Sequence, residues 1–182
     1  IYTTEACYFI TTDLGPGKRI AEQPSSIQPA NVQVSTFDDR AFHEVELENF
    51  LESGREWYGE SFEFETVQPF PFSFANVVTS VPVKVTSLVA SKSIYASNTF
   101  TMSAAGQTIA KADIAKVCSD YTCAFAYTAK LEGTFIASSG NFDVLFTYTR
   151  NAQDAIGWLN YVEVNAQRGL AWTGSQMSFR SL

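Results

Sequence analysis

Between Phe125 and Tyr148 the sequence alternates with a period of two, twice over. Phe125, Tyr127, Ala129, Leu131, Gly133 and Phe135 are separated by small or polar residues, with Thr128, Lys130, Glu132 and Thr134 among them. Ser138, Ser139, Gly140 and Asn141 then supply turn chemistry, and Phe142, Val144, Phe146 and Tyr148 resume the alternation. Successive side chains point to opposite faces only in a strand, so this stretch reads as two strands, each with one apolar face. A helix would scatter those phenylalanines around its circumference.

The same reading extends along the chain. Phe70, Phe72 and Phe74 alternate around Pro71; Pro69 and Pro71 cannot donate to a ladder and mark an edge or bulged strand. Val81, Val83 and Val85 share a face, as do Phe100 and Met102, and Ala105-Gly106 marks a turn. Trp158 leads a last strand through Val162 and Val164, with Glu163 and Asn165 outward and Asn160 on the face of Val162. Eight to ten such strands, half polar, are expected to pair antiparallel with one wet face each. Two such sheets bury their apolar faces on each other, giving an all-β, two-sheet antiparallel β-sandwich. A jelly roll of the galactose-binding or carbohydrate-module kind is expected ahead of an immunoglobulin-like sandwich. The composition agrees: 15 Phe, 8 Tyr and only 17% charged residues favour strands.

The first third is less regular. Residues 7–11 read as a short strand, 13–17 as a Gly/Pro turn, and Val32 and Val34 as part of a second strand. Residues 38–52 are the candidate helix, with Leu47, Phe50 and Leu51 at helical spacing; an irregular arm is the alternative. From Trp57 onward the period is two, with Phe62 and Phe64 alternating with Glu63 and Glu65. The 182 residues are expected to form one domain, with 1–56 as N-terminal strands and arm and 57–170 as the main alternating strands. The sequence begins at Ile1 without a charged-then-apolar leader and reads as a piece of something longer.

A net charge of −7 opposes nucleic acid and anionic lipid surfaces. No apolar run reaches membrane-spanning length. Cys118 and Cys123, four residues between them, are a disulfide candidate; two buried thiols are the alternative, and Cys7 is left over. With one histidine and no second cysteine pair, no zinc site is expected.

No catalytic constellation stands out. His43 lacks a nucleophile signature and reads as a hydrogen-bonding surface residue. Glu44, Glu46, Glu48, Glu52, Glu56, Glu60, Glu63 and Glu65 read first as a solvated face. Calcium ligation is a second reading and a carboxylate pair for glycoside hydrolysis a third. No metal or cofactor is expected; an acidic balance permits calcium without requiring it. Trp57, Tyr58, Trp158, Tyr161 and Trp172 form either packing or a sugar-stacking platform. Arg55 is placed to stack on an aromatic ring or to pair with Glu60, and Gly54 and Gly59 suggest backbone that a side chain would obstruct.

Three stretches together carry a family resemblance. Residues 7–20 (CYFITTDLGPGKRI), 41–62 (AFHEVELENFLESGREWYGESF) and 157–170 (GWLNYVEVNAQRGL) resemble the region ahead of the peptidase domain in the PorU-like type IX secretion sortases, gingipain-like cysteine peptidases of Bacteroidetes. The octet SGREWYGE is the most specific piece. The resemblance implies a parent enzyme at the outer-membrane surface that removes C-terminal sorting domains from secreted cargo. Its Cys-His chemistry would lie in a peptidase domain following this region, and no matching motif occurs here. The implied role is therefore a non-catalytic accessory domain whose partners are the peptidase domain of its own chain, cargo, or an outer-membrane barrel. Arg55, Trp57, Tyr58, Glu60, Trp158, Asn160 and Tyr161 are the structural or interaction candidates. Asn160 stands where the family pattern Trp-Leu-Asp-Tyr has Asp, which leaves a neutral hydrogen-bonding role. A carbohydrate-binding module of a surface enzyme is the alternative reading.

Overall fold

The computed structural model describes residues 8–10, 12–24, 27–29, 32–52, 56–172, 174–175 and 177. The chain separates into two units, Ile1–Gln33 and Val34–Leu182. In the first, the described residues are irregular, and Tyr8, Phe9, Ile10, Leu14, Ile20 and Ile27 are exposed.

The second unit is a β-sandwich. Its strands are β1 (Thr36–Glu44), β2 (Glu48–Asn49), β3 (Trp57–Tyr58), β4 (Val67–Ser73), β5 (Val83–Lys92), β6 (Asn98–Ala104), β7 (Gln107–Ile114), β8 (Tyr127–Phe135), β9 (Asn141–Thr149) and β10 (Ile156–Gly169). Two four-stranded sheets run β1-β10-β5-β8 and β4-β9-β6-β7, antiparallel throughout. The pairings are nested. β6 pairs β7 across the turn at Ala105 and Gly106, whose φ values of 49° and 74° suit a tight hairpin. Moving outward, β5 pairs β8, β4 pairs β9, and β1 pairs β10. One long hairpin, rolled so that successive pairs fall on alternate sheets, is a jelly roll.

The alternating phenylalanines meet between the sheets. Phe70, Phe72, Phe100, Val144 and Phe146 from one sheet face Val83, Val85, Leu131, Val162 and Val164 from the other, all buried. Each such large side chain contributes roughly 1.5–3 kcal/mol by leaving water. β4 is an edge strand, so Pro69 and Pro71 leave no central ladder bond unmade.

The N-terminal expectations need correction. Over 38–52 neither the candidate helix nor its alternative, an irregular arm, describes the chain: β1 occupies the first half, and β2 and a three-residue 3-10 turn (Phe50–Glu52) lie in the second. β1 was disguised because its inward positions include Asp39 and His43. Arg168 from β10 pairs with Asp39, and Glu60 pairs with His43, so both polar groups are satisfied by residues distant in sequence. Of the strand expected at 7–11, Cys7 and Thr11 lie outside the described residues, while Tyr8–Ile10 are irregular. Val32 and Val34 are irregular and exposed. Without a ladder partner, alternation alone makes no strand.

The alternation expected through Phe62 and Phe64 also breaks. Phe62 is fully buried whereas Phe64 is exposed. The chain bends at 63–64, where Gln68 donates to the carbonyls of Ser61 and Glu65 and Arg150 donates to that of Glu63.

Candidate functional site

A second aromatic cluster lies on the outer face of the β1-β10-β5-β8 sheet. The short hairpin of β2 and β3, with its 3-10 turn, forms a flap over it. Glu48 pairs Tyr58 and Asn49 pairs Trp57 across the hairpin. The next residues then join the sheet: Gly59 N–H donates to Leu159, Leu159 N–H to Glu60, and Phe62 N–H to Gly157. Residues 59–62 thus take one edge of β10 over its first residues, and β1 takes the same edge from Tyr161 onward. The two segments abut at Gly59. A Cβ there would sit 2.6 Å from the Val45 carbonyl oxygen, so only glycine fits without movement.

The changeover on β10 is marked by a β-bulge between Leu159 and Tyr161. Leu159 and Val162 both lie in the inter-sheet core although three positions apart, because the bulge resets the alternation. Asn160 is therefore not on the face of Val162. It points to the outer side, where it donates to the Tyr58 hydroxyl and favours its charged form.

Phe50 is the hub of the cluster. Its ring stacks on Tyr58 at 4.3 Å and 9°, meets Trp158 edge-on at 4.7 Å, and touches Phe125 at 4.9 Å. Ala90, opposite Trp158 in the ladder, is the floor. Tyr58 and Trp158 are each 2% exposed, so both polar handles need partners. The Trp158 indole N–H donates to Glu48 Oε2 at 2.7 Å and the Tyr58 hydroxyl to Glu56 Oε2 at 3.0 Å. Burial first, and Glu56 second, push the Tyr58 phenol far above its ordinary range. His43 Nε2 and Glu60 Oε1 are 2.8 Å apart, and His43 packs against Phe70.

The candidates thus fall into different roles. Tyr58, Trp158 and Asn160 converge beneath the flap. Glu60 pairs with His43; Arg55, Ser53 and Gly54 lie outside the described residues. Trp57 is 42% exposed on the flap, and Tyr161 stacks with Phe42 elsewhere on the outer face. Trp57, Tyr58, Trp158, Tyr161 and Trp172 do not form one flat platform, because Tyr58 and Trp158 are interior. Glu48 and Glu56 were missed as specific partners, since charge clustering hid their separate tasks. Phe50 was visible only as part of a supposed helix.

Beside the flap runs a groove of about 410 Å³, lined by Leu51, Lys92, Ile94, Val117 and Phe125 and bounded by the loop that the Cys118–Cys123 disulfide closes. Among the described residues no three His, Cys, Asp or Glu side chains gather as a metal site. No described helix is long and apolar enough to cross a membrane.

No family model matches the chain, and no curated protein matches it. Among solved structures it is similar to dimeric latent PorU from Porphyromonas gingivalis, with TM-score 0.70 and 22% identity over 84% of this chain. The chain spans 14% of the length of that PorU. It is similar at TM-score 0.37 and 11% identity to the carbohydrate-binding module CBM36 solved with calcium and xylotriose, over 54% of this chain and 71% of that one. A CBM36-1 domain of a multidomain xylanase from the hindgut metagenome of Trinervitermes trinervoides gives TM-score 0.38 and 13% identity, over 75% of this chain and 100% of that one. The first likeness is one of fold; the other two fall too low to bear on function.

Proposed function

We propose that this chain is a non-catalytic accessory domain of a sortase-type, gingipain-like cysteine peptidase of type IX secretion. The parent acts at the outer-membrane surface of a member of the Bacteroidetes and processes the C-terminal sorting signals of secreted cargo. The domain orients the peptidase domain of its own chain and contacts cargo or an outer-membrane barrel partner. One coincidence carries this reading. Two stretches that resemble the sortase region, 41–62 and 157–170, are 95 residues apart at their nearest ends, yet they meet as the flap and its seat. They do so in a fold shared with PorU over most of the chain. Chemistry is assigned to the parent's peptidase domain because, among the described residues, the His43 ring nitrogen faces Glu60 and no nucleophile is bonded to it.

The test uses the full-length parent in its own cell. Trp57→Ala changes an exposed flap residue and leaves the buried seat intact. It is expected to lower the fraction of cargo that loses its C-terminal signal, read by immunoblot, at unchanged parent abundance. Normal processing at normal abundance would overturn the interaction role of the flap. Peptide cleavage by the isolated 182-residue chain would overturn its non-catalytic assignment. The carbohydrate-module alternative rests on Trp57 and Trp172, the exposed tryptophans among the described residues. Glycan binding lost on replacing either would favour it.

A further inference from the structure

The first unit carries a feature that the sequence does not repeat: Lys18 and Arg19 are the only two basic residues next to each other in the chain. They lie within 12–24, a run in which every residue is exposed and none belongs to a strand or helix. The cause is local. Pro16 and Pro24 lack the N–H that a ladder needs, and Gly15, at φ 86°, turns the chain just ahead of the pair. Ile20, directly after the pair, is 99% exposed.

The other described lysines and arginines are held in place. Arg40, Lys84, Lys92, Lys111, Lys130 and Arg168 stand in β1, β5, β7, β8 and β10, with their backbone in a ladder. Arg150 donates to the Glu63 carbonyl, and the N–H of the next residue, Asn151, donates to the Asn98 side chain at 2.9 Å. Lys116 is in a loop, but Val117 after it is 3% exposed and donates its N–H to the Ser93 carbonyl at 2.8 Å. Cys118 follows, cross-linked to Cys123. An endopeptidase must draw several residues of its substrate into an extended strand along its own cleft. Bonds pinned as these are stay shielded until the region opens, whereas the bond after Arg19 needs no opening.

We infer that the Arg19–Ile20 bond is a processing site for an endopeptidase specific for basic residues. The substrate pocket of such an enzyme offers a carboxylate that takes the Arg19 guanidinium through paired N–H bonds, and Lys18 adds a second positive charge beside it. In a chain of net charge −7 the pair is a local positive point that steers an acidic cleft to this segment. The reaction is hydrolysis. The peptide C–N bond breaks, a C–O bond to the water oxygen forms, and Arg19 is left with a carboxylate. Both water protons end on the new Ile20 ammonium. The bond lies ahead of Gln33, where the first unit ends, and of Thr36, where β1 begins, so scission breaks no strand pairing of the sandwich. The part released carries Tyr8, Phe9, Ile10 and Leu14, all exposed. The inference goes beyond the accessory role and stands whether or not that role holds.

The test has two readouts. The 182-residue chain is digested with dilute trypsin and followed by intact mass. The product 20–182 is expected first, with cuts outside the pair about a hundredfold slower, because those bonds wait on local opening. The double variant Lys18→Gln, Arg19→Gln changes two exposed residues and should lose the early cut. A first cut after any lysine or arginine outside the pair would overturn the inference. In its own cell the full-length parent should begin at Ile20, read by N-terminal sequencing, and the double variant should keep the residues ahead of it. A mature parent that retains those residues, or a double variant that begins at Ile20 all the same, would also overturn it.

Discussion

Among the described residues buried aromatic side chains gather in two clusters, and the two are built on different principles. Between the sheets, Phe62, Phe70, Phe100 and Phe146 meet other apolar groups almost all round and carry no polar atom that needs a partner. Beneath the flap, Tyr58 and Trp158 are as deeply buried, but each leads a hydrogen bond out to a carboxylate on the flap itself. The inter-sheet core holds eight strands together, whereas the outer cluster fastens one hairpin to one sheet. The first sets global stability; the second sets whether the flap is closed.

The largest expected effect comes from cutting the first. Phe146→Ala removes a fully buried ring that meets Phe70 edge-on at 5.6 Å. A cost of about 3–5 kcal/mol follows from lost transfer energy plus the cavity left behind. Urea unfolding should show one cooperative transition moved to a lower midpoint. Phe50→Ala cuts the second region at its hub and should cost about 2 kcal/mol, confined to the flap. Hydrogen exchange distinguishes the two. In Phe50→Ala the amides of Leu47 and Gly59, which bond to Tyr58 and Leu159, should lose protection while those of β5 and β9 keep theirs. Parallel loss throughout would mean that flap and core unfold as one unit, and the distinction would fail.

The same contrast explains what could be read from the sequence. The inter-sheet core was legible because its signal is local: Phe142, Val144, Phe146 and Tyr148 carry their face assignment within seven residues. β1 was not, because Asp39 and His43 sit inward and are satisfied by Arg168 and Glu60, which no local pattern reveals. At the outer cluster the rings of Tyr58 and Trp158 were conspicuous, but their burial was not. It depends on the Asn160 bulge, which resets which residues face out, and on Phe50, which has no partner nearby in sequence except through the hairpin. Lys92 and Phe125, 33 residues apart, meet only once β5 and the segment before β8 are placed. Alternation reports which way a strand faces; it does not report which strand lies beside it.

The join between β1 and the flap is the next place to press. Gly59→Ala places a methyl 2.6 Å from the Val45 carbonyl oxygen and 3.3 Å from the Val45 Cβ. Backbone must move, at a cost of about 1–3 kcal/mol. That cost should appear in the midpoint of urea unfolding. A change below about 0.5 kcal/mol, the usual limit for a surface substitution, would show that the end of β1 is not held against the flap.

The smallest effect separates the regions by charge. Tyr58 and Tyr148 both have phenols raised above the ordinary 10.0, in each case first by burial; Glu56 adds to the rise at Tyr58, whereas Ser91, bonded at 2.7 Å, pulls Tyr148 back down. A phenol raised on folding favours the folded state in its neutral form. That contribution is complete below pH 10 and is lost as pH climbs toward the folded value. Each tyrosine therefore adds a slope of at most about 1.4 kcal/mol per pH unit to alkaline destabilisation. Tyr58→Phe removes the hydroxyl bonds to Glu56 and Asn160 and should cost about 1 kcal/mol at pH 8. Above pH 10 the variant should lose stability less steeply than the parent chain, with Tyr148 supplying the remaining slope. If Tyr58→Phe leaves the alkaline slope unchanged while Tyr148→Phe flattens it, the flap is already open at high pH and Tyr58 ionises in water. The outer cluster would then be a latch that releases before the core does.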